Sequence, residues 1–364
     1  MKITCHNQTC QHVWDYNGKV LVTYCPICSS KIPISKKLMG GFGENISKNT
    51  EAKSIKSSIK SRLRLWLLEH PKFNFYNYLS GHNPTYQKGF NKINPYNLFR
   101  IITSNIRVLP DFILIGGTRS GVMTLTKYIQ EHPNVYTVRN IHFFGYAYSN
   151  KVEWYKRHFP TNFYKNYFKL KHKHRLVVGE STGTYFFNPM ISKRIKEHVP
   201  NVKLIVMLKN PTISIYSRYW VFRNEGLELS SFEDVIKMEM ERIKIGDERN
   251  ELRINNPDFD DRVNFNYLRH CNYAEKLKTW LKEFKKEQIL ILTNDEFNAD
   301  IDKTLKQTFE FLDLPNYTIK NKFKHNVGKY PKMQESTRKL LVDYFRPHNQ
   351  ELYKLIGKEL DWDK

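Results

Sequence analysis

Residues 112–124 read FILIGGTRSGVMT, and this stretch decides the fold class. Phe112 to Ile115 form a short apolar run without polar alternation, the pattern of a strand buried on both faces. The chain then turns through Gly116, Gly117, Thr118, Arg119, Ser120 and Gly121, and helical spacing begins at Val122 and lasts to Glu131. A strand that runs through a glycine-rich turn into a helix gathers backbone N–H groups at the helix N-terminus and makes a cradle for an anion. Gly116 and Gly121 have the offset of a Walker A loop, but Val122 and Met123 stand where that loop needs Lys and a hydroxyl. ATP or GTP hydrolysis is therefore disfavoured. The loop's cation is inside it, at Arg119.

Outward from this turn, further apolar runs at 176–178, 204–208 and 288–292 read as short strands. Helical patterns lie between or beside them, at 189–198, 273–284 and 335–355. Strands alternating with helices predict an α/β domain, a P-loop-like three-layer fold with a central parallel sheet, over residues 110–364. Ligands of such sheets bind at the carboxyl ends of the strands. Lys209 follows the run 204–208 directly, Pro211 suits a helix N1 position, and Ser217 lies two turns further on. A cation and a hydroxyl so placed suit a dianionic phosphate, although each taken alone also reads as a solvated lysine and a helix-interior serine.

The N-terminal 30 residues carry Cys5-x4-Cys10 and Cys25-x2-Cys28, with the strand-like run 19–24 between the pairs. Four thiolates in two pairs suit tetrahedral zinc, so residues 1–30 are expected to form a small structural zinc ribbon; disulfide pairing is the alternative. Residues 31–60 are rich in Lys, Ser, Gly and Asn and read as a flexible linker. Residues 61–109 turn helical, aromatic and basic, and are expected to pack on the main domain rather than lie on a membrane.

The chain has 364 residues and a formal net charge of +23. Nine Lys against three acids in residues 1–60 account for +6 of it, and the rest is diffuse. Such an excess favours polyanionic ligands without choosing among nucleotides, glycans, nucleic acid and lipid headgroups. The start lacks a secretory h-region, and no apolar run approaches the ~20 residues of a membrane span, so a cytoplasmic protein is expected.

The loop and five further motifs, in order, resemble those of sulfotransferases that use PAPS (3'-phosphoadenosine-5'-phosphosulfate), particularly the heparan sulfate N- and 3-O-sulfotransferase branch. The loop Arg119-Ser120-Gly121-Val122 is similar to K-[TSG]-G-T, and Arg139 to Phe144 (RNIHFF) to K-E-x-H-F-F. Trp154-Tyr155 with Phe159-Pro160 is similar to the W-Y…F-P segment, and Glu180 to Phe186 (ESTGTYF) to E-K-[ST]-P-x-Y-F. Lys209-Asn210-Pro211 through Tyr219 is similar to the segment that binds the 3'-phosphate. Gly328-Lys329-Tyr330-Pro331 and Phe345 to Asn349 resemble the closing loop and last helix.

The resemblance implies sulfuryl transfer from PAPS to a hydroxyl or amine, with a glycan or small molecule as acceptor. It implies donor contacts from Gly117, Thr118, Arg119, Ser120, Gly121, Val122, Met123, Thr124, Lys209, Ser217, Gly328 and Lys329. Arg119 takes the place of the family's loop Lys. The family's basic Glu is Asn140 here, which cannot accept a proton. His142, with an intrinsic pKa suited to the task, becomes the candidate base, against the alternative that it packs beside Phe143. The Lys of E-K-[ST]-P is Ser181, with Arg139 as a candidate replacement cation. A P-loop kinase or NTPase and a nucleic-acid-binding zinc-ribbon adaptor are the competing readings; the first lacks the Walker Lys and the second any base-stacking motif.

Overall fold

A computed structural model describes residues 2–4, 13–15, 22–24 and 31–33, and then 95–245, 266–319 and 330–364. The chain divides into two compact units: residues 83–218, 253–265 and 269–364, and residues 1–82, 219–252 and 266–268.

At the N-terminus, β1 (Lys2–Thr4) pairs antiparallel with β2 (Val13–Asp15), and β3 (Val22–Tyr24) with β4 (Lys31–Pro33). Cys5, Cys10, Cys25 and Cys28 lie outside the described residues, as do residues 34–94. β4 falls within the stretch expected as linker, so strand pairing continues past residue 30. In the same unit the Glu239 carboxylate accepts the backbone N–H groups of Tyr267 (2.8 Å) and Leu268 (3.0 Å). Ser231 caps the helix Phe232–Lys244 by accepting the Asp234 N–H.

The larger unit begins with α1 (Pro95–Ile102) and continues through β5 (Phe112–Gly116), α2 (Val122–Gln130) and β6 (Val135–Arg139). Then come α3 (Val152–Lys156), α4 (Asn162–His172), β7 (Val177–Ser181), α5 (Pro189–His198) and β8 (Lys203–Leu208). Helix α6 (Pro211–Asn224) starts in this unit. α7 (Tyr273–Glu283), β9 (Ile289–Thr293), α8 (Asn294–Ala299), α9 (Ile301–Phe311) and α10 (Glu335–Ile356) complete it.

The five strands form one parallel sheet in the order β6-β7-β5-β8-β9. All five residues of β5 are buried. Phe112 and Leu114 face a cluster with Leu125, Tyr128 and Phe309, while Ile113 and Ile115, pointing the other way, are equally inaccessible. Burial on both faces explains the unbroken apolar run. The chain leaves β5 toward β6 and leaves β8 toward β9, on opposite sides, so a topological switch point lies between β5 and β8. Their ends are level, Gly116 pairing with Met207.

Two differences from the sequence reading bear on function. β7 runs to Ser181 rather than ending at Val178, because the charged Glu180 is accommodated inside the sheet. β6 lies outside the apolar runs; as the sheet's edge it is mostly half-buried, and its side chains do not form an apolar block.

His158, just after α3, is buried edge-on to Trp154, with Nδ1 3.1 Å from the Tyr155 carbonyl. Burial pushes its pKa down to about 3, and Arg157 and Arg100 add to the effect. The unfolded chain takes this proton near the ordinary value of about 6.5. The stabilisation is therefore complete above that pH and is lost progressively as pH falls toward 3. At pH 5.5 the loss is about 1.4 kcal/mol. Thermal unfolding of wild type and His158→Gln between pH 8 and about 5.5 should show a steeper decline for wild type. Parallel curves contradict this assignment.

Candidate active site

The turn after β5 is shaped by contacts from distant parts of the chain. The Gly117 N–H donates to the Met207 carbonyl (2.8 Å), which ties the start of the loop to β8. A Cβ on Gly117 would meet the Tyr273 hydroxyl at 2.8 Å, so only glycine fits between β5 and α7. Gly121 has φ +100° and forms the N-cap of α2, a conformation that L side chains rarely adopt. The Asn294 amide donates to the Ser120 carbonyl (2.9 Å) from the start of α8. From α6, the Ser214 hydroxyl donates to the Thr118 carbonyl, and Arg218 donates to Thr118 Oγ1 (3.0 Å). The loop is thus fixed from three sides, with the first N–H groups of α2, at Val122 and Met123, lacking partners earlier in the helix. Thr124 is buried in that first turn.

Three cations converge here. Arg119 Nε lies 3.3 Å from Ser217 Oγ, Arg218 is buried, and Arg119 is close enough to Lys209 to oppose its charge. The Lys209 ammonium is held below its usual pKa, first by burial and then by Arg119, with Asp295 and Cys271 opposing. Burial also lowers Arg119, with Tyr330 acting against it. Ser120 is buried at 1% exposure and its hydroxyl has no hydrogen-bond partner. This buried hydroxyl without a partner lies next in sequence to Arg119, and a phosphate oxygen is a group that would satisfy it.

Arg119, Ser120, Gly121, Lys209 and Ser217 are therefore brought together around the switch point. Gly328 and Lys329 lie outside the described residues; the next residues, Tyr330 and Pro331, contact Tyr216, edge-on at 5.5 Å and through its hydroxyl at 3.0 Å. Sequence reasoning missed Arg218, Asn294 and Tyr273. The first had a weak signal, standing beside Ser217, and the second follows the end of a strand. Cys271 is buried and its thiol is pushed up to about 11, so it is not a nucleophile.

His142 sits beyond the carboxyl end of β6. Its Nδ1 is 3.4 Å from Thr184 Oγ1 and its ring stacks on Tyr146 at 4.8 Å. Arg119, Asn140 and His142 are three of the five non-glycine residues with positive φ among the described residues. Such conformations cost about 1–3 kcal/mol each and persist where the surroundings impose them. The Asn140 N–H donates to the Ser181 carbonyl (2.8 Å). The Ser181 hydroxyl is buried against Thr126 (2.7 Å) and turned into α2, whereas Arg139, its register partner on β6, is only half-buried.

Glu180 binds these pieces together. It is fully buried and accepts hydroxyl bonds from Tyr155 (2.5 Å), Thr182 (2.6 Å) and Tyr185 (2.9 Å). Tyr185 in turn accepts the Phe144 N–H (3.3 Å). Burial raises the carboxyl to about 6, against the hydroxyl donors that lower it.

Residues 109–362 match the sulfotransferase domain family. The chain belongs to the sulfotransferase family. It is 26% identical over 328 residues to a membrane-associated sulfotransferase of Dictyostelium discoideum, covering 72% of this chain and 68% of that one. It is 27% identical over 283 residues to the bifunctional heparan sulfate N-deacetylase/N-sulfotransferase 1 of Caenorhabditis briggsae, covering 69% of this chain but 30% of the relative. With the heparan sulfate glucosamine 3-O-sulfotransferase 3A1 of Mus musculus it shares 22% identity, over 74% of this chain and 68% of the relative. A solved sulfotransferase from Alicyclobacillus acidocaldarius superimposes with a TM-score of 0.53 at 22% identity, covering 71% of this chain and all of that one, which supports the fold. The sulfotransferase is PAPS-dependent by family, and the kinase and adaptor readings are not favoured.

Removing the Glu180 carboxylate leaves three buried hydroxyls without their acceptor. At about 1–3 kcal/mol for an unsatisfied group, partly relieved by relaxation, Glu180→Ala should lose about 3 kcal/mol of stability. Urea unfolding measures this; a loss below about 1 kcal/mol contradicts the central position given to Glu180.

Proposed function

We propose that this sulfotransferase transfers a sulfuryl group from PAPS to a hydroxyl or amine of a glycan. The 5'-phosphosulfate lies in the loop 117–124, and Lys209 and Ser217 receive the 3'-phosphate. The observation that carries this reading is the convergence of Arg119, Lys209 and Arg218 with the orphaned Ser120 hydroxyl at the β5/β8 switch point. A nucleotide with phosphates at both ends neutralises this charge. The loop amides and Arg119 stabilise the negative charge that develops on the departing phosphate as the acceptor atom bonds to sulfur and the S–O bond breaks. Arg119 serves by charge and bidentate donation and gives up no proton.

His142 takes the acceptor's proton. Nδ1 faces the Thr184 hydroxyl at 3.4 Å; in the tautomer that carries the proton on Nδ1, the lone pair is on Nε2 and that nitrogen serves as base. Arg139 supplies the cation on the acceptor side that Ser181 does not, since Ser181 is engaged with Thr126. A glycan acceptor is supported by the heparan sulfate relatives and by the positive charge of the chain.

The cysteine pairs fall between paired strands: Cys5 and Cys10 between β1 and β2, Cys25 and Cys28 between β3 and β4. Four cysteines in two such pairs along the sequence suit a structural zinc ion. Metal analysis of purified protein should give about one zinc per chain, falling in Cys25→Ser/Cys28→Ser; less than about half an equivalent with free thiols intact overturns it.

For the chemistry, Arg119→Ala should lower turnover by about 10²–10³ while Arg119→Lys keeps much of it. His142→Ala should lower turnover by about 10²–10⁴ with donor affinity nearly unchanged. Full activity in His142→Ala makes the histidine a packing residue on Tyr146.

A further inference from the structure

Nine of the fifteen exposed large apolar side chains among the described residues lie on two neighbouring segments, α1 with the turn after it and α4. α1 is inside out. Arg100 is buried and donates to the Arg157 carbonyl (2.6 Å), while Leu98, Ile101 and Ile102 are 49–71% exposed. On a helix that packs on a core in the ordinary way, the apolar stripe faces inward. In α4, Phe163, Tyr167 and Leu170 recur at helical spacing on the outer face, with Phe163 79% and Leu170 81% exposed, while Phe168 alone is buried. The two segments meet at Arg107, whose backbone bridges Thr161 and whose guanidinium lies over the Phe99 ring at 5.6 Å.

Charge indicates what covers this face. Residues 154–179 contain seven Lys and Arg and no Asp or Glu. Lys169 and Lys171 in the C-terminal half of α4, and Lys173 just past its end, are exposed, and the Lys171 ammonium lies over the Tyr167 ring at 5.9 Å. Lysine is depleted from the cores of protein–protein interfaces. Aromatic and aliphatic side chains flanked by long-stemmed lysines instead suit a bilayer surface, with the apolar groups entering the acyl boundary and the ammonium groups reaching the headgroups.

We infer that the face formed by α1 and α4 docks this sulfotransferase on an anionic lipid bilayer. α4 is anchored by Lys165 to Asp111 (2.7 Å), which precedes β5 at the amino end of the sheet. The phosphate loop follows β5 at the carboxyl end, so docking leaves the crevice between β5 and β8 open to donor and acceptor.

Flotation of the full chain with phosphatidylcholine vesicles, with and without about 30 mol% phosphatidylserine, tests this. Wild type should float with the anionic vesicles and be released by salt. Phe163→Ser/Leu170→Ser and Lys169→Glu/Lys171→Glu should each weaken binding by about tenfold or more. PAP affinity and thermal unfolding should be unchanged in both, because the altered side chains are exposed and remote from the loop. Wild type that stays with the unbound fraction, or variants that float equally well, overturn the inference. So does light scattering that shows a dimer converted to monomer by Phe163→Ser/Leu170→Ser with lipid binding intact, which assigns the face to a second copy.

Discussion

A carboxylate without access to water organises the part of the fold that bears His142. Among the described residues no cation pairs with Glu180; three hydroxyls satisfy it, from Tyr155, Thr182 and Tyr185. Burial of a carboxylate is costly unless its oxygens are bonded, so the three donors must be in place for β7 to continue to Ser181. Each donor brings a segment with it. Tyr155 carries the helix after β6, and Tyr185, through the Phe144 N–H, holds the turn that bears His142. Three separate sequence motifs thus meet on one side chain, which gives them a shared physical reason for their residue types.

On the proposed donor side the buried charged groups are cations. Arg119, Lys209 and Arg218 crowd a partly buried crevice, and each loses solvation there. The cost is borne by the scaffold around the loop: Gly117 against Tyr273, the Asn294 and Ser214 bonds to loop carbonyls, and the positive φ at Arg119. In the proposed reading, this scaffold holds the cations in place before the nucleotide's phosphates arrive, so binding needs no rearrangement of the sheet.

The sheet's interior was legible in the sequence because β5 and β8, buried on both faces, leave unbroken apolar runs, and because the glycine turn after β5 has few other uses. β6 was not legible, since an edge strand with half-buried Tyr136 and Thr137 has no apolar block to detect. The extension of β7 was hidden for a different reason. Glu180 reads as a strand end until the tyrosines that satisfy it, one of them 25 residues upstream, are known to be near. Lys209 could be picked out because it follows a strand directly and Arg119 because it is the cation inside the glycine turn, whereas Arg218 and Asn294 act across 100 and 174 residues of chain. In α1 the apolar residues read as core-facing, and the structure turns them outward because Arg100 takes the inner position.

The central claim is that the β5/β8 crevice holds a nucleotide by phosphates at two separate positions. Calorimetric titration of PAP (3'-phosphoadenosine-5'-phosphate) against adenosine 5'-phosphate tests it most directly. The two ligands share base, ribose and 5'-phosphate, and differ only in the group assigned to Lys209 and Ser217. Charge-assisted bonds of about 1.5–3 kcal/mol predict PAP binding tighter by roughly tenfold to a hundredfold. Equal affinities contradict the account.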